Sequence, residues 1–398
     1  MVRSRKDALV RRKKEILCLV CLPGLMALYV AVRGGGFVSL GPDARLYLSI
    51  ADNVLSTGHF IQSVRDPGSF VVPFGLPLIL TALRGLGLSA GAIIALEYLL
   101  FGWSCLLLSR SEEALFGGWW ISPCLFTAAL IRSHLEINNV YLEYYFLFCL
   151  IAVLYLLTRQ DMPLKKKLLL LNAAGFAGFA IRTVLILVYL PILGYTLYAA
   201  AGKRLPVAAA LLAVLIPWAV FAGNAAVNCR ETGHWILTSN YSGADVYAAN
   251  NPRTRTEFYS LRDLPDFVDE RFYTITEDPA LDPTEKDAAL SHAAGEWIRS
   301  HPGQFLKNTA AKTWSLFGVY WRYALVLALL AGLWGIVRKE PPGGIWSVCL
   351  GVNLLLAVTT GMGLLMGRYS IVVWPLASLH LAGGWHAAWG RLRKHETK

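Results

Sequence analysis

Apolar runs of membrane-spanning length alternate with short polar segments along the chain. The first is Ile16–Val32. It is longer than a signal-peptide core and has no clear small-residue cleavage site, so it reads as an uncleaved first span. Further apolar segments lie near Val71–Leu86, Leu88–Leu108, Ala114–Ile131 and Val140–Leu157. Leu168–Ala201 is too long for one crossing and barely long enough for two. Leu205–Val227 follows, then runs near Tyr323–Val337, Ile345–Met366 and Tyr369–Ala388. The pattern predicts an all-α polytopic membrane protein with about 10–11 transmembrane helices.

Charge sorts these runs by side. Basic clusters flank them: "RSRKDALVRRKK" before Ile16, "LKKK" at Leu164–Lys167, "GKR" at Gly202–Arg204, "RKE" at Arg338–Glu340 and "RLRK" at Arg391–Lys394. Lys and Arg favour the cytoplasmic side, so both termini are expected inside an inner cell membrane. Ser39–Ser69 and His134–Glu143 then fall outside. Three apolar segments lie between those two outer points, which allows only an even number of full crossings. One of the three must be short, re-entrant or interfacial. A tight hairpin in 168–201 with both ends inside places Arg182 at its outer turn. The expected organisation is a membrane module over 1–227, with its first outer loop at about 34–70, an external segment with turns and short helices over 228–320, and a three-helix membrane segment over 321–398. No internal repeat suggests inverted transporter halves.

Composition agrees. The chain is 56% hydrophobic and 16% charged, with mean hydropathy +0.49, against roughly 25% charged in soluble domains. The net charge of +11 sits largely in the clusters beside apolar runs. It therefore points to the bilayer and its anionic lipid as partner, not to nucleic acid. Most of the seven cysteines lie within apolar segments, and "CLVC" at Cys18–Cys21 has no metal-ligand company, so no disulfide framework is expected.

Charge near a membrane span is costly and marks candidate chemistry. Asp43, Arg45, Asp52, Arg65, Asp66, Glu136, Glu143, Arg182 and Arg368 gather at the outer face. Carboxylates there can act as a base or hold a metal; arginines can hold phosphate by forked hydrogen bonds. Each has a plainer role available. Asp43 follows Gly-Pro and suits a helix N-cap. Asp52 suits a solvated helix face. Glu143 can snorkel from the outer end of a span, and Arg182, Arg368, Arg132 and His134 can anchor helices to headgroups. His59 and His234 lack paired-ligand spacing. No P-loop, GxGxxG or GxSxG occurs, which removes nucleotide-loop and serine-hydrolase chemistry.

Five stretches, taken in order, resemble the polytopic C-type (GT-C) glycosyltransferases, in the branch of aminoarabinose transferases and protein O-mannosyltransferases. "GPDARLYLSIADNVLSTGHF" is similar to the first-loop pattern of an aspartate, a tyrosine and an A-x-x-L helix. "RDPGSFVVPFGLPLILTAL" resembles the Pro-rich start of the second span. "NNVYLEYYFLFCLIAVLYLL" resembles an acid-then-aromatic span start. "IPWAVFAGNAAVNCRETGHWILTSNYSGADVYAANNP" looks like the P-W-x-x-R-N segment with its later turn, though "AVFAGN" after Trp218 lacks the arginine. "GEWIRSHPGQFLKNTAAKTWSLF" and "GRYSIVVWPLASLHLAGG" resemble the closing helix and the R-Y-x-x-x-x-x-P span.

The resemblance implies a GT-C-like fold and transfer of a sugar from a polyprenyl-phosphate donor to an acceptor glycan, lipid or protein hydroxyl, with inversion, at the outer membrane face. It implies Asp43 as general base and Glu143, with Glu136 as the alternative, as a second acid that orients the acceptor or a metal. Arg182 and Arg368 would hold the lipid phosphate, with Arg65 next in line, and Tyr47 and Tyr369 join the substrate-binding set. The external segment would shape the acceptor site, with an amphipathic helix near Glu296–Phe317 covering the cleft. The resemblance leaves a cofactor open, since the family includes metal-free members; if a divalent cation takes part, Asp43 and Glu143 are its expected ligands. A transporter or flippase for a lipid-linked or anionic substrate is the competing class, since outer-face arginines also suit it. A non-catalytic membrane scaffold is a third.

Overall fold

A computed structural model describes residues 2–34, 40–61, 71–132, 142–159, 161–182, 194, 202, 207–256, 264–316 and 373–396, and every regular element among them is a helix. Arg65, Asp66, His134, Glu136, Arg368, Tyr369 and the runs near Tyr323–Val337 and Ile345–Met366 lie outside the described residues.

Among the described residues, two helical stretches are long and apolar enough to cross a membrane, Leu9–Val32 and Ala90–Phe116. The first is a rod made of α1 (Val2–Ile16), a π-helical turn (Leu17–Cys21) and α2 (Leu22–Gly34). Pro23 sits just past the turn, and a proline inside a helix lacks its N–H and crowds the carbonyl four residues back. The π turn absorbs that mismatch. The second stretch is α5 (Ala90–Phe116), which crosses the rod there. A Cβ at Gly102 would stand 3.0 Å from Pro23 Cγ and 3.1 Å from the Cys18 carbonyl. Glycine lets the two backbones meet, as small residues do between membrane helices.

Helix α5 corrects one expectation. The sequence reading broke the apolar run after Leu108 and restarted it at Ala114, but α5 continues to Phe116 and closes at Gly117 with φ 76°. Its polar stretch is not a loop: Ser104, Ser109, Ser111 and Glu112 are buried against neighbouring helices. The next helix, α6, starts only at Ile121 and runs to Arg132. Helices α7 (Leu142–Thr158), α8 (Leu164–Ile181) and the C-terminal α15 (Trp374–Glu396) complete the bundle. Phe101, Phe126, Phe146, Leu150, Phe179 and Leu376 are among its buried core residues.

The two ends of the bundle differ. At one, Lys14 ion-pairs with Glu113, His386 bonds Glu112 at 2.8 Å, and Lys167 donates to the Arg159 carbonyl at 2.7 Å. The N-terminal and "LKKK" basic clusters therefore share this end. The other end carries the start of α7, the end of α8, and two short helices, α3 (Pro42–Thr57) and α4 (Gly75–Gly85). Arg84 of α4 pairs with Asp52 of α3 at 2.9 Å, so Asp52 is an ion-pair partner and not merely a solvated position. At the opposite end of α4, the Phe74 N–H donates to Asn224 at 3.0 Å. A Cβ on Gly75 would meet the Ala180 carbonyl carbon at 2.4 Å. The 11 residues of α4 span about 16 Å at 1.5 Å each, roughly half the hydrocarbon thickness. Val71–Leu86 is thus one short segment, and α6, with 12 residues, is another.

Helix α9 (Val207–Thr232) leads to a second, smaller core made by α10 (Ser242–Ala249), α11 (Leu264–Phe267), α12 (Glu270–Thr276) and α13 (Pro283–Ser300). Tyr247, Phe267, Phe272 and Leu290 fill it. Asp282 and Glu285 form a reciprocal capping box at the start of α13. The amphipathic helix expected near Glu296–Phe317 is two helices, the end of α13 and α14 (Pro302–Leu316). Pro302 drives the residue before it out of helical backbone, and His301 sits at φ −131°, ψ 52°.

Candidate functional site at the α7–α8 end

Glu143 occupies the first turn of α7. A negative charge there meets the positive end of the helix dipole, yet Glu143 is only 2% exposed. A buried carboxylate needs a partner charge and hydrogen bonds. Arg182 supplies the charge. It ends α8 with extended backbone, φ −144° and ψ 114°, and its Nη1 donates to Glu143 Oε1 at 3.2 Å. The guanidinium also lies over the Phe146 ring, 5.7 Å from its centroid. Glu143 Oε2 is buried and has no hydrogen-bond partner among the described residues. A buried unsatisfied polar atom costs about 1–3 kcal/mol, so this oxygen is a place where an incoming hydroxyl gains most.

Asp43 is on the same end. The cap of α3 is Gly41, with Pro42 at the first helical position, so Asp43 is the second helical residue and not the N-cap. Its charge lies in the favourable first turn. Tyr47, one turn on along the same face, is buried in the bundle core. Arg45 points back to its own loop, its Nε donating to the Leu40 carbonyl at 3.1 Å. Beyond α3, His59 meets Glu231 at 2.9 Å and Arg230 donates to the Gly58 carbonyl at 3.0 Å. These contacts fasten the end of α9 to the end of α3. No known family model matches this chain, and no curated protein does. The site therefore stands on its own chemistry.

That chemistry suits an anion beside a hydrogen-bond acceptor better than a cation. Arg182 sets a positive charge against one oxygen of Glu143, which opposes a metal ion there. His59 and His234 are each paired with one carboxylate, Glu231 and Asp282, at 2.9 and 3.0 Å. Among the described residues no group of three or more His, Cys, Asp or Glu side chains is arranged to hold a metal.

The structure brings Glu143 and Arg182 together and places Asp43 and Tyr47 on α3, which packs against α4, the helix that in turn meets α8. The proposed roles of Arg65, Arg368 and Tyr369 lie outside the described residues. Two buried acids went unremarked in the sequence. Glu97, 1% exposed within α5, interacts electrostatically with Tyr98 and Tyr145; an acid inside "AIIALEYLLFGW" is itself the signal. Glu112 accepts from the Ser122 N–H at 2.7 Å, the Ser122 hydroxyl at 2.8 Å and the Ile121 N–H at 3.3 Å, and meets His386. That knot of bonds joins α5, α6 and α15, and it is structural.

Proposed function

We propose that the chain is a polytopic membrane glycosyltransferase that moves a sugar from a polyprenyl-phosphate donor to an acceptor hydroxyl. The Lys14–Glu113 end faces the cytoplasm, in keeping with its basic clusters, and the Asp43–Glu143 end faces outward. The observation that carries the reading is the buried Glu143–Arg182 pair with the unpartnered Glu143 Oε2, at the end of the bundle where α4 packs against both α8 and the Asp43-bearing α3. A lipid-linked sugar keeps its chain in the bilayer, so its phosphate and its anomeric carbon lie at this rim.

In the proposed step Asp43, ionised, takes the proton of the acceptor hydroxyl. The acceptor oxygen forms its bond to the anomeric carbon as the bond from that carbon to the phosphate oxygen breaks, with inversion. Polyprenyl phosphate leaves with the electron pair, and Arg182 stabilises the charge that develops on it. Glu143 Oε2 accepts a hydrogen bond from the acceptor and orients it. The external segment, tied to the bundle by Val71 N–H to Asn240 at 3.0 Å, borders the acceptor side.

The test is reconstitution in liposomes with a labelled polyprenyl-phosphate sugar. Release of free polyprenyl phosphate together with labelled acceptor supports transfer. Movement of the intact lipid-linked sugar across the bilayer, without release, establishes a carrier instead.

A further inference from the structure

Two adjoining cavities of about 380 and 490 Å³ open at the end of the bundle opposite Asp43. The first is lined by Arg11, Lys14 and Glu15 of α1 and by Arg110 and Glu113 of α5. The second shares Arg110 and Glu113 and adds Tyr155, Arg159 and Asp161 at the α7–α8 turn. The charges there are almost all matched. Arg11 pairs with Glu15 at 3.1 Å, Lys14 with Glu113, and Arg159 with Asp161 and the Tyr155 hydroxyl. Each of the three acids has taken a base. Arg110, which lines both cavities, is partly buried and has no ion pair or hydrogen bond from its side chain among the described residues.

We propose that Arg110 is the centre of a binding site for one phosphodiester, supplied by the headgroup of an anionic phospholipid. The local balance leaves one uncompensated positive charge, and a phosphodiester carries one negative charge. A guanidinium offers two parallel bonds to phosphate oxygens. Basic pockets between membrane helices on the cytoplasmic side are suited to such headgroups. Two helical turns from Arg110 along α5, past Leu106, which is buried in the bundle core at 1% exposure, stand Trp103 and then Leu99. Leu106 is part of the lining of the first cavity. Trp103 and Leu99 are 47% and 55% exposed and lie where an acyl chain descending from that headgroup would rest. A free phosphodiester would use the polar cavity alone; the apolar continuation is what favours the lipid. This site is on the opposite end from the transfer chemistry and rests only on the membrane placement of the bundle, not on its enzymatic activity.

The test uses the full chain, delipidated in neutral detergent, with dioleoylphosphatidylglycerol, dioleoylphosphatidylcholine or soluble glycerophosphoglycerol added at equal concentration. Retained ligand is counted by native mass spectrometry. Phosphatidylglycerol should be retained over phosphatidylcholine by the parent, and Arg110→Gln should lower its retention at least fivefold with an unchanged lipid-free melting temperature. Glu113→Gln, which releases Lys14, should raise it. Equal retention by parent and Arg110→Gln, or no preference for phosphatidylglycerol, overturns the site. If Arg110→Gln does not fold, unchanged or lowered retention in Glu113→Gln overturns it alone. Retention of glycerophosphoglycerol at the same occupancy overturns the lipid assignment in favour of a soluble phosphodiester. Carbonate extraction of native membranes is a separate arm: release of the chain to the supernatant overturns the membrane reading, whatever Arg110 binds.

Discussion

Glu143 and Arg182, 39 residues apart in the chain, meet at 3.2 Å where α7 begins and α8 ends. The bond ties the two helix ends together and leaves the second Glu143 oxygen without a partner among the described residues. Arg182→Ala strands a buried carboxylate. The expected loss is about 2–3 kcal/mol, below the usual range for a wholly buried pair because Arg182 reaches the surface. Glu143→Ala combined with Arg182→Ala should recover part of it, since neither charge is then left alone. Thermal denaturation of the two single variants and the double variant checks the coupling; additive losses would show no functional pair.

Glu143→Gln keeps shape and one acceptor oxygen but loses the charge. Turnover in the reconstituted transfer assay should fall by about 10²-fold, the lower end of the span for a positioned group. Donor binding should change little, because Arg182 is retained. Weaker donor binding with normal turnover would assign Glu143 to the donor side.

Asp43 adds its charge to the first turn of α3, but Gly41 and Pro42 set the helix start. Asp43→Asn should therefore fold normally while losing about 10²–10⁴-fold in turnover, as expected for removal of a general base. A near-normal rate in the purified variant would place the base elsewhere.

Gly75→Ala tests how α4 is positioned. The added carbon would lie 2.4 Å from the Ala180 carbonyl carbon and 2.7 Å from the Ile181 amide, both backbone atoms. Neither can yield as a side chain can. The helix must shift away from α8, one turn from Arg182, and a loss of about 1–3 kcal/mol is expected for such overpacking. Lipid-phosphate release should fall as well; a stable variant with full activity would show that α4 does not border the site.

Lys312 gives a pH dependence. It is buried on α14, with Nζ donating to the Ala249 carbonyl of α10 at 3.0 Å, and burial brings its pKa down from 10.5 to about 8. Between those values the unfolded chain holds a proton that the folded one has released, so stability rises with pH from about 8 to about 10. Below that window the fold bears the cost of the buried charge. The full difference is about 3 kcal/mol at 1.36 kcal/mol per pKa unit. Melting curves of the parent and Lys312→Met, compared at pH 7 to 10, isolate it: the parent should gain on the variant as pH rises. A constant difference would show that Lys312 keeps its ordinary pKa.

Much of the candidate site was legible one residue at a time. Asp43 after Gly-Pro, Glu143 at the head of an apolar run and Arg182 inside one are each conspicuous against greasy surroundings. Their relations were not. Asp52 looked solvated because Arg84, its partner, lies 32 positions away, and Ser109–Glu113 fell between two apolar runs because the burial that accommodates it comes from other helices. Glu97 was hidden in the opposite way, inside a run whose average hydropathy overrode a single acid.

The sequence by itself determined the helical class, since runs of apolar residues without strand alternation leave the backbone to satisfy its own hydrogen bonds. It also located two apolar runs, Ile16–Val32 and Leu88–Leu108, which the structure bounds as Leu9–Val32 and Ala90–Phe116, both long and apolar enough to cross a bilayer, and it showed the basic clusters flanking them. Those properties are local: they depend on hydropathy summed along a helix and on charges at its ends. Only the tertiary structure decided that Gly102 meets Pro23, that α4 stays at one end, that Glu143 faces Arg182, and that Arg110 is left over when the acids around it have paired. Large apolar side chains such as Trp103 and Leu99 lie exposed on the same helix as the buried Phe101 and Leu108, so inward and outward faces are equally greasy. Periodicity therefore does not tell which face meets which helix, and partner choice is settled by close backbone approach and by the matching of a few buried charges.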